Sequence, residues 1–181
     1  MPHFITILAP GFEETEAVTV IDLMRRAQIR VSLLGLRALE VTGSHDITIR
    51  AERLLQDFNE PFDGIVLPGG MPGTTNLAES SAVLDLVRDA HRREALCAAI
   101  CAAPLVFGRA GILRNRTATC YPGIEKELIG ATVVTETVVR DKNIITSRGP
   151  GTAVAFGLEI VSYIAGQKEA DRIAAAVHRH T

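Results

Sequence analysis

Runs of consecutive apolar residues alternate along this chain with segments whose apolar positions recur every three or four residues. That alternation predicts strands and helices in turn. Residues 3–9 read as a strand, which Pro10-Gly11 ends. Residues 13–27 read as a helix, with acids in its first turn and arginines in its last, as the helix dipole favours. Residues 29–35 form a second strand. Strand, helix and strand within about thirty residues make a βαβ unit, which implies a right-handed crossover and a parallel sheet.

The rest of the chain continues the pattern with less regularity. Residues 43–46 look like a turn and residues 47–49 like a short edge strand. Residues 64–68 are a core strand that runs into Gly69-Gly70-Met71-Pro72-Gly73. Residues 76–93 read as one helix capped by Asn76, with Leu77, Val83, Leu84 and Val87 on its inner face. A short strand and turn are expected over 117–122 and a brief helix over 123–130. Residues 132–134, 137–139 and 143–146 alternate and predict strands at the second edge of the sheet. A loop over 147–152 leads to helices over 153–165 and 168–179. The expected architecture is a single α/β domain over residues 1–181, built as a three-layer sandwich.

One stretch differs from the others in its chemistry. Ala95-Leu-Cys-Ala-Ala-Ile-Cys-Ala-Ala-Pro104 begins as a strand of small apolar residues buried on both faces. Proline is tolerated in the first turn of a helix, so Pro104 opens a helix that continues through residue 111. Cys101 then falls where a buried strand turns sharply into a helix. This is a nucleophile elbow with sulfur in place of a hydroxyl, and the positive helix end favours thiolate.

Composition narrows the reading. Aromatic residues are only 4% of a chain that is 47% hydrophobic, so the core must be packed mainly from aliphatic side chains. The 19 basic and 21 acidic residues nearly cancel, which leaves no basic patch for nucleic acid and no acidic tail. Apolar runs are broken well short of the roughly 18 residues that a membrane span needs. The N-terminus lacks a basic leader, and a cytoplasmic location is expected. Three cysteines are too few for a disulfide framework. Cys97 and Cys101 on one strand would lie about 13 Å apart, beyond disulfide reach. As a metal pair they lack His or Cys partners, so no metal is expected.

In an open parallel sheet, sites lie beyond the carboxyl ends of the strands. Four such ends carry suggestive residues: Gly11 to Glu16, Pro68 to Gly73, Cys101, and Ser147 to Gly151. Glycine-rich turns beside a cysteine offer backbone N–H groups to an oxyanion, and a nearby carboxylate could hydrogen-bond the sulfur. Each feature also has a plainer reading. A lone buried cysteine is usually a small hydrophobe, and Cys97 and Cys120 read as core. Glu13, Glu14 and Glu16 could simply complement a helix N-terminus. His45 reads as a surface loop residue, His91 as part of a solvated helix face, and His178 and His180 as tail. No phosphate-loop or dinucleotide fingerprint is present.

Five separated motifs together resemble the ThiJ/PfpI superfamily, and within it the YajL-like branch. They are Leu8-Ala-Pro-Gly-Phe-Glu-Glu-Thr-Glu-Ala17, Asp22-Leu-Met-Arg-Arg-Ala27, Val66-Leu-Pro-Gly-Gly70, Ala98-Ala-Ile-Cys-Ala-Ala-Pro104 and Ser147-Arg-Gly-Pro-Gly-Thr152. The resemblance implies a flavodoxin-like fold, a homodimer and no cofactor. It implies that Cys101 is the reactive, easily oxidised cysteine and that Glu16 is its protonated partner. It assigns Gly69, Gly70 and Ala102 as backbone donors of an oxyanion site, and Arg26 and His45 to an anion-binding pocket at the dimer interface. Some relatives carry a histidine where this chain has Tyr121. Without a Cys-His pair, peptidase activity is not expected.

Two functions are consistent with these residues. In the first, the chain is a cofactor-independent glyoxalase or deglycase in which Cys101, assisted by Glu16, attacks small aldehydes of the methylglyoxal type or glycated thiols and amines. In the second, it is a non-catalytic redox sensor and holdase whose Cys101 oxidises to sulfinate.

Overall fold

A computed structural model describes residues 1–179. The chain runs β1 (His3–Leu8), α1 (Glu14–Arg26), β2 (Arg30–Gly35), β3 (Glu40–Thr42), β4 (Thr48–Arg50), β5 (Arg53–Leu54), β6 (Gly64–Leu67), α2 (Gly73–Ala78), α3 (Ser81–Arg92), β7 (Leu96–Ile100) and α4 (Pro104–Ala110). It continues β8 (Thr117–Ala118), β9 (Thr132–Val133), β10 (Val138–Asp141), β11 (Ile144–Ser147), α5 (Ala153–Ala165) and α6 (Gln167–Ala176). A mostly parallel sheet of order β10-β11-β7-β6-β1-β2-β5 forms the middle layer, with only β10 antiparallel. This is the expected α/β sandwich of flavodoxin-like type.

Period-two side chains divide the core between the two faces of the sheet. Phe4, Leu8, Val66, Ala98 and Ile100 face α1, α5 and α6, where Val20, Met24, Phe156 and Ile173 complete one cluster. Ile5, Ile7, Ile65, Leu67, Cys97 and Ala99 face α2, α3 and α4, with Leu77, Val87 and Phe107. Every residue of β1, β6 and β7 is buried. That burial is why these strands read as continuous apolar runs rather than alternating ones.

Four expectations need correction. The helix expected over 76–93 is two helices. Ser80, in extended conformation, accepts from the Val83 N–H at 3.4 Å and caps α3. A serine at such a position favours a new N-terminus over a continuous helix. Asn76 caps nothing; its side chain donates to the Pro10 carbonyl at 3.1 Å. Residues 47–49 do not form the sheet edge: β4 pairs with β3 in a separate hairpin, and the edge strand is β5. Residues 132–134 pair with β8 in a small parallel ladder away from the main sheet. The brief helix expected over 123–130 contracts to a single 3-10 turn, Glu125–Glu127. His180 lies outside the described residues.

Candidate active site around Cys101

The chain visits β1 and β2, then crosses back to place β6 on the other side of β1. That reversal opens a crevice at the carboxyl end of β1 and β6, where open α/β sheets bind ligands. The segments after β1, β6, β7 and β11 all meet there.

Cys101 is the residue after β7 and lies three before Pro104, the first residue of α4. Its φ is +64°, in the left-handed region that a non-glycine residue seldom adopts. Two backbone hydrogen bonds hold it there. Its N–H donates to the Ser147 carbonyl at 3.0 Å, and its carbonyl accepts from the Tyr121 N–H at 2.8 Å. The elbow therefore turns the side chain off the strand axis, with 8% of the residue exposed.

Glu16 approaches from the first turn of α1 and is fully buried. One of its oxygens accepts from the Gly69 N–H at 2.8 Å. Its own N–H donates to the Glu13 carboxylate, the cap of α1, at 2.6 Å, and the Glu13 N–H donates to the Gly69 carbonyl at 2.8 Å. This reciprocal lacing ties the β6 turn to the start of α1. Gly69 must lack a side chain: a Cβ there would stand 2.6 Å from the Cys101 Cβ and 2.9 Å from the Glu16 carboxyl. Gly70, at φ +91°, has backbone of Gly11 and Phe12 where a Cβ would go.

The carboxyl and the thiol shift each other's proton affinity. Burial pushes the Glu16 carboxyl up to about 7, against the Gly69 N–H and the thiol, which lower it. Burial pushes the Cys101 thiol up to about 12, and the Glu16 charge adds to this, while the Gly70 and Ala102 N–H groups pull it down. The positive helix end and the backbone donors favour thiolate, while burial and the adjacent carboxylate oppose it. Two negative charges cannot share this pocket at neutral pH, so the pair keeps a proton between them.

The Gly70 and Ala102 N–H groups favour the anionic form of the sulfur. Gly69 was expected as a third such donor, but its N–H is committed to Glu16. Among the three acids of α1, Glu16 faces the cysteine, Glu13 caps the helix and Glu14 straps the β3–β4 loop. Glu14 accepts from the His45 N–H at 2.7 Å and the His45 ring at 3.0 Å. Burial raises the Glu14 carboxyl, but these donors win and hold it down to about 2. His45 is thus an exposed loop residue paired with Glu14, which raises its proton affinity. Arg26 pairs with Asp22 at 2.7 Å in the last turn of α1. Arg26 and Glu14 lie at opposite ends of that helix, about 18 Å apart along its axis. Within one chain Arg26 and His45 therefore share no pocket.

Glu13, Glu14 and His45 place ligand-type atoms within 4.8 Å of one another, but the hydrogen bonds above already engage them. Cys97 is a fully buried core residue of β7, and Cys120 is buried too. Sequence reasoning missed the carbonyl of Ser147 and the N–H of Tyr121 as the clamps on Cys101. Both act through backbone atoms, so side-chain identity carries no signal of them.

Fold and site define an α/β protein with a cysteine on a strand-to-helix elbow, backed by a buried carboxyl. The chain belongs to the DJ-1/PfpI family, whose sequence model matches residues 4–163. It is 42% identical over 174 residues to Protein dj-1beta of Drosophila melanogaster, covering 94% of this chain and 93% of that one. The crystal structure of Drosophila DJ-1beta superimposes with a TM-score of 0.95 over 99% of both chains, at 39% identity. The chain is 39% identical over 177 residues to the Parkinson disease protein 7 homolog of Danio rerio, covering 94% of each. It is 32% identical over 164 residues to the glutathione-independent glyoxalase DJR-1.2 of Caenorhabditis elegans, covering 89% of this chain and 87% of that one.

Proposed function

We propose that this protein is a cofactor-independent glyoxalase acting on methylglyoxal and glyoxal through Cys101 and Glu16. The observation that carries the reading is the buried Glu16 carboxyl, held near neutral proton affinity against the thiol. A group poised near the working pH suits general acid-base relay. The Cys101 sulfur adds to the aldehyde carbon of methylglyoxal, and the thiol proton passes to the Glu16 carboxylate. The hemithioacetal oxygen rests on the Gly70 and Ala102 N–H groups. Glu16 returns the thiol proton to the hemithioacetal oxygen. Its carboxylate then takes the proton from the aldehyde carbon and delivers it to the neighbouring carbonyl carbon, while the hydroxyl proton passes to the second oxygen. This oxidises the first carbon and reduces the second. Water cleaves the resulting thioester to lactate and restores the thiol. Glyoxal gives glycolate by the same steps. Glycated thiols and amines that release such aldehydes are substrates of the same class. The name of the Caenorhabditis elegans relative supports the reaction class.

The test is lactate formation from methylglyoxal by the purified chain without added glutathione. Cys101→Ser is expected to be inactive, and Glu16→Gln to lose about a hundredfold or more. Full activity in Cys101→Ser would refute the mechanism.

The same donors favour a second reading, a redox sensor with holdase activity. Two equivalents of peroxide convert Cys101 to sulfinate and release two waters, and the N–H groups and Glu16 would hold the added oxygens. A gain of two oxygens on the Cys101 peptide after mild peroxide is expected; its absence beside robust turnover would leave the enzyme reading alone.

A homodimer belongs to the proposal as well. Val18 of α1 and Val154 of α5 are exposed at 51% and 37% and border a groove of about 620 Å³. Val18→Glu is expected to shift the protein to monomer in sedimentation. No helix among the described residues is long and apolar enough to cross a membrane. The three free cysteines suit a reducing compartment, and fractionation would test a cytoplasmic location.

A further inference from the structure

Behind the Glu16 carboxyl, on the side of α1 and α5, lies an internal cavity of about 10 Å³. It is lined by apolar side chains, among them Val20, Val66, Ile100 and Phe156, and by two residues with polar side chains, Thr6 and Glu16. Thr6 sits in mid-β1, opposite Val66 of β6, and by strand alternation shares the face of Phe4 and Leu8 that packs on α1. The Thr6 hydroxyl and the second Glu16 carboxyl oxygen, Oε1, are both buried and have no protein hydrogen-bond partner among the described residues. Buried polar atoms are nearly always hydrogen-bonded. A cavity of this volume holds about one water, provided that it meets two or more polar groups. Two otherwise unpartnered oxygens at one water-sized space meet both conditions.

We propose that Thr6 and Glu16 hold one buried water between them, and that through this water Thr6 acts as a positioning residue for the Glu16 carboxyl. The water donates to Glu16 Oε1 and exchanges a hydrogen bond with the Thr6 hydroxyl. Glu16 then has a donor on each oxygen, the Gly69 N–H on one and the water on the other. A donor to the ionised form favours that form. Thr6 thereby keeps Glu16 able to release its proton near neutrality, despite complete burial. The charged or titratable groups facing Glu16 are the Cys101 thiol at the end of β7 and the Glu13 carboxylate at the cap of α1. From β6, β7 and α5 the cavity wall is apolar. The inference rests on the coupling of Glu16 to Cys101 and does not depend on the aldehyde substrate.

The test follows Cys101 alkylation by iodoacetamide against pH, read by peptide mass so that Cys97 and Cys120 do not contribute. Wild type should show an inflection from Glu16 near neutral pH, and Glu16→Gln should abolish it. Thr6→Val, of nearly the same shape, should move the inflection up by about half to one unit, a three- to tenfold change in proton affinity. Thr6→Ser should restore it. An inflection that Glu16→Gln removes but Thr6→Val leaves in place overturns the role of Thr6 alone. An inflection untouched by Glu16→Gln overturns the Glu16–Cys101 coupling and the inference with it. A second arm needs no variant. A high-resolution crystal structure of the wild-type chain should show one water within hydrogen-bond reach of both oxygens, and a dry cavity there refutes the proposal.

Discussion

Replacing Glu16 by glutamine should change how stability depends on pH, in a direction the burial of the site dictates. Glu16 is fully buried, and its carboxyl is raised from 4.5 to about 7 in the folded chain. A carboxyl raised on folding binds more protons folded than unfolded, so its contribution is fully present below pH 4.5. It is lost as pH rises through 7. At ~1.36 kcal/mol per unit, the loss across that window is about 3 kcal/mol. Glutamine keeps a carbonyl oxygen for the Gly69 N–H and has no charge to bury. The variant should therefore gain on wild type by about 3 kcal/mol between pH 4.5 and 7.5. Urea unfolding reads this directly. With a slope near ~2 kcal/mol per molar, the gap between the two midpoints should widen by about 1.5 M. His45 and the surface carboxylates titrate equally in both proteins and cancel in the difference. Parallel stability curves from pH 4.5 to 7.5 would refute the claim that burial dominates the Glu16 proton.

Three further outcomes follow from the same geometry. Gly69→Ala forces a methyl group against Cys101 and Glu16; lactate formation should fall at least about a hundredfold, and the thermal midpoint should drop by several degrees. Glu14 is held down to about 2 by its loop donors, so its contribution is present above pH 4.5 and lost as pH falls towards 2. Glu14→Gln should flatten that acid limb in a circular-dichroism titration, while His45→Ala should have a smaller effect because backbone donors from His45 and Ile47 remain. Cys97→Ser places a hydroxyl in the dry core and should cost roughly 1–3 kcal/mol while leaving turnover intact; Cys101→Ser should do the opposite, as paired unfolding and lactate assays would show.

Much of this molecule was legible in order along the chain. The apolar runs of β1, β6 and β7 announced strands buried on both faces, and Pro104 after a small-residue run marked the elbow. Local signals of this kind survive because backbone geometry and burial act on neighbouring residues. The errors fell where pairing partners are distant. β4 and β9 have ordinary strand sequences, and only the ladder each joins separates them from the main sheet. The Ser80 cap was local, but the helical periodicity on either side of it hid the break.

The site divides the same way. Sequence alone determined that a cysteine would stand at a strand-to-helix turn with glycine-rich loops nearby, since those residue types dictate backbone conformation. Residue types and spacing left three acids at the start of α1 equivalent, and only the family resemblance singled out Glu16. Tertiary structure placed Glu13 at the cap, Glu14 at the loop and Glu16 at the sulfur, because helix phase relative to the sheet decides what each of the three buried carboxyls faces. Tertiary structure also moved Gly69 from oxyanion donor to Glu16 partner and set burial and a neighbouring carboxylate against the helix end at the Cys101 thiol. Proton affinity is set by burial and by charges brought within a few ångströms, and those distances exist only once β1, β6 and β7 lie side by side.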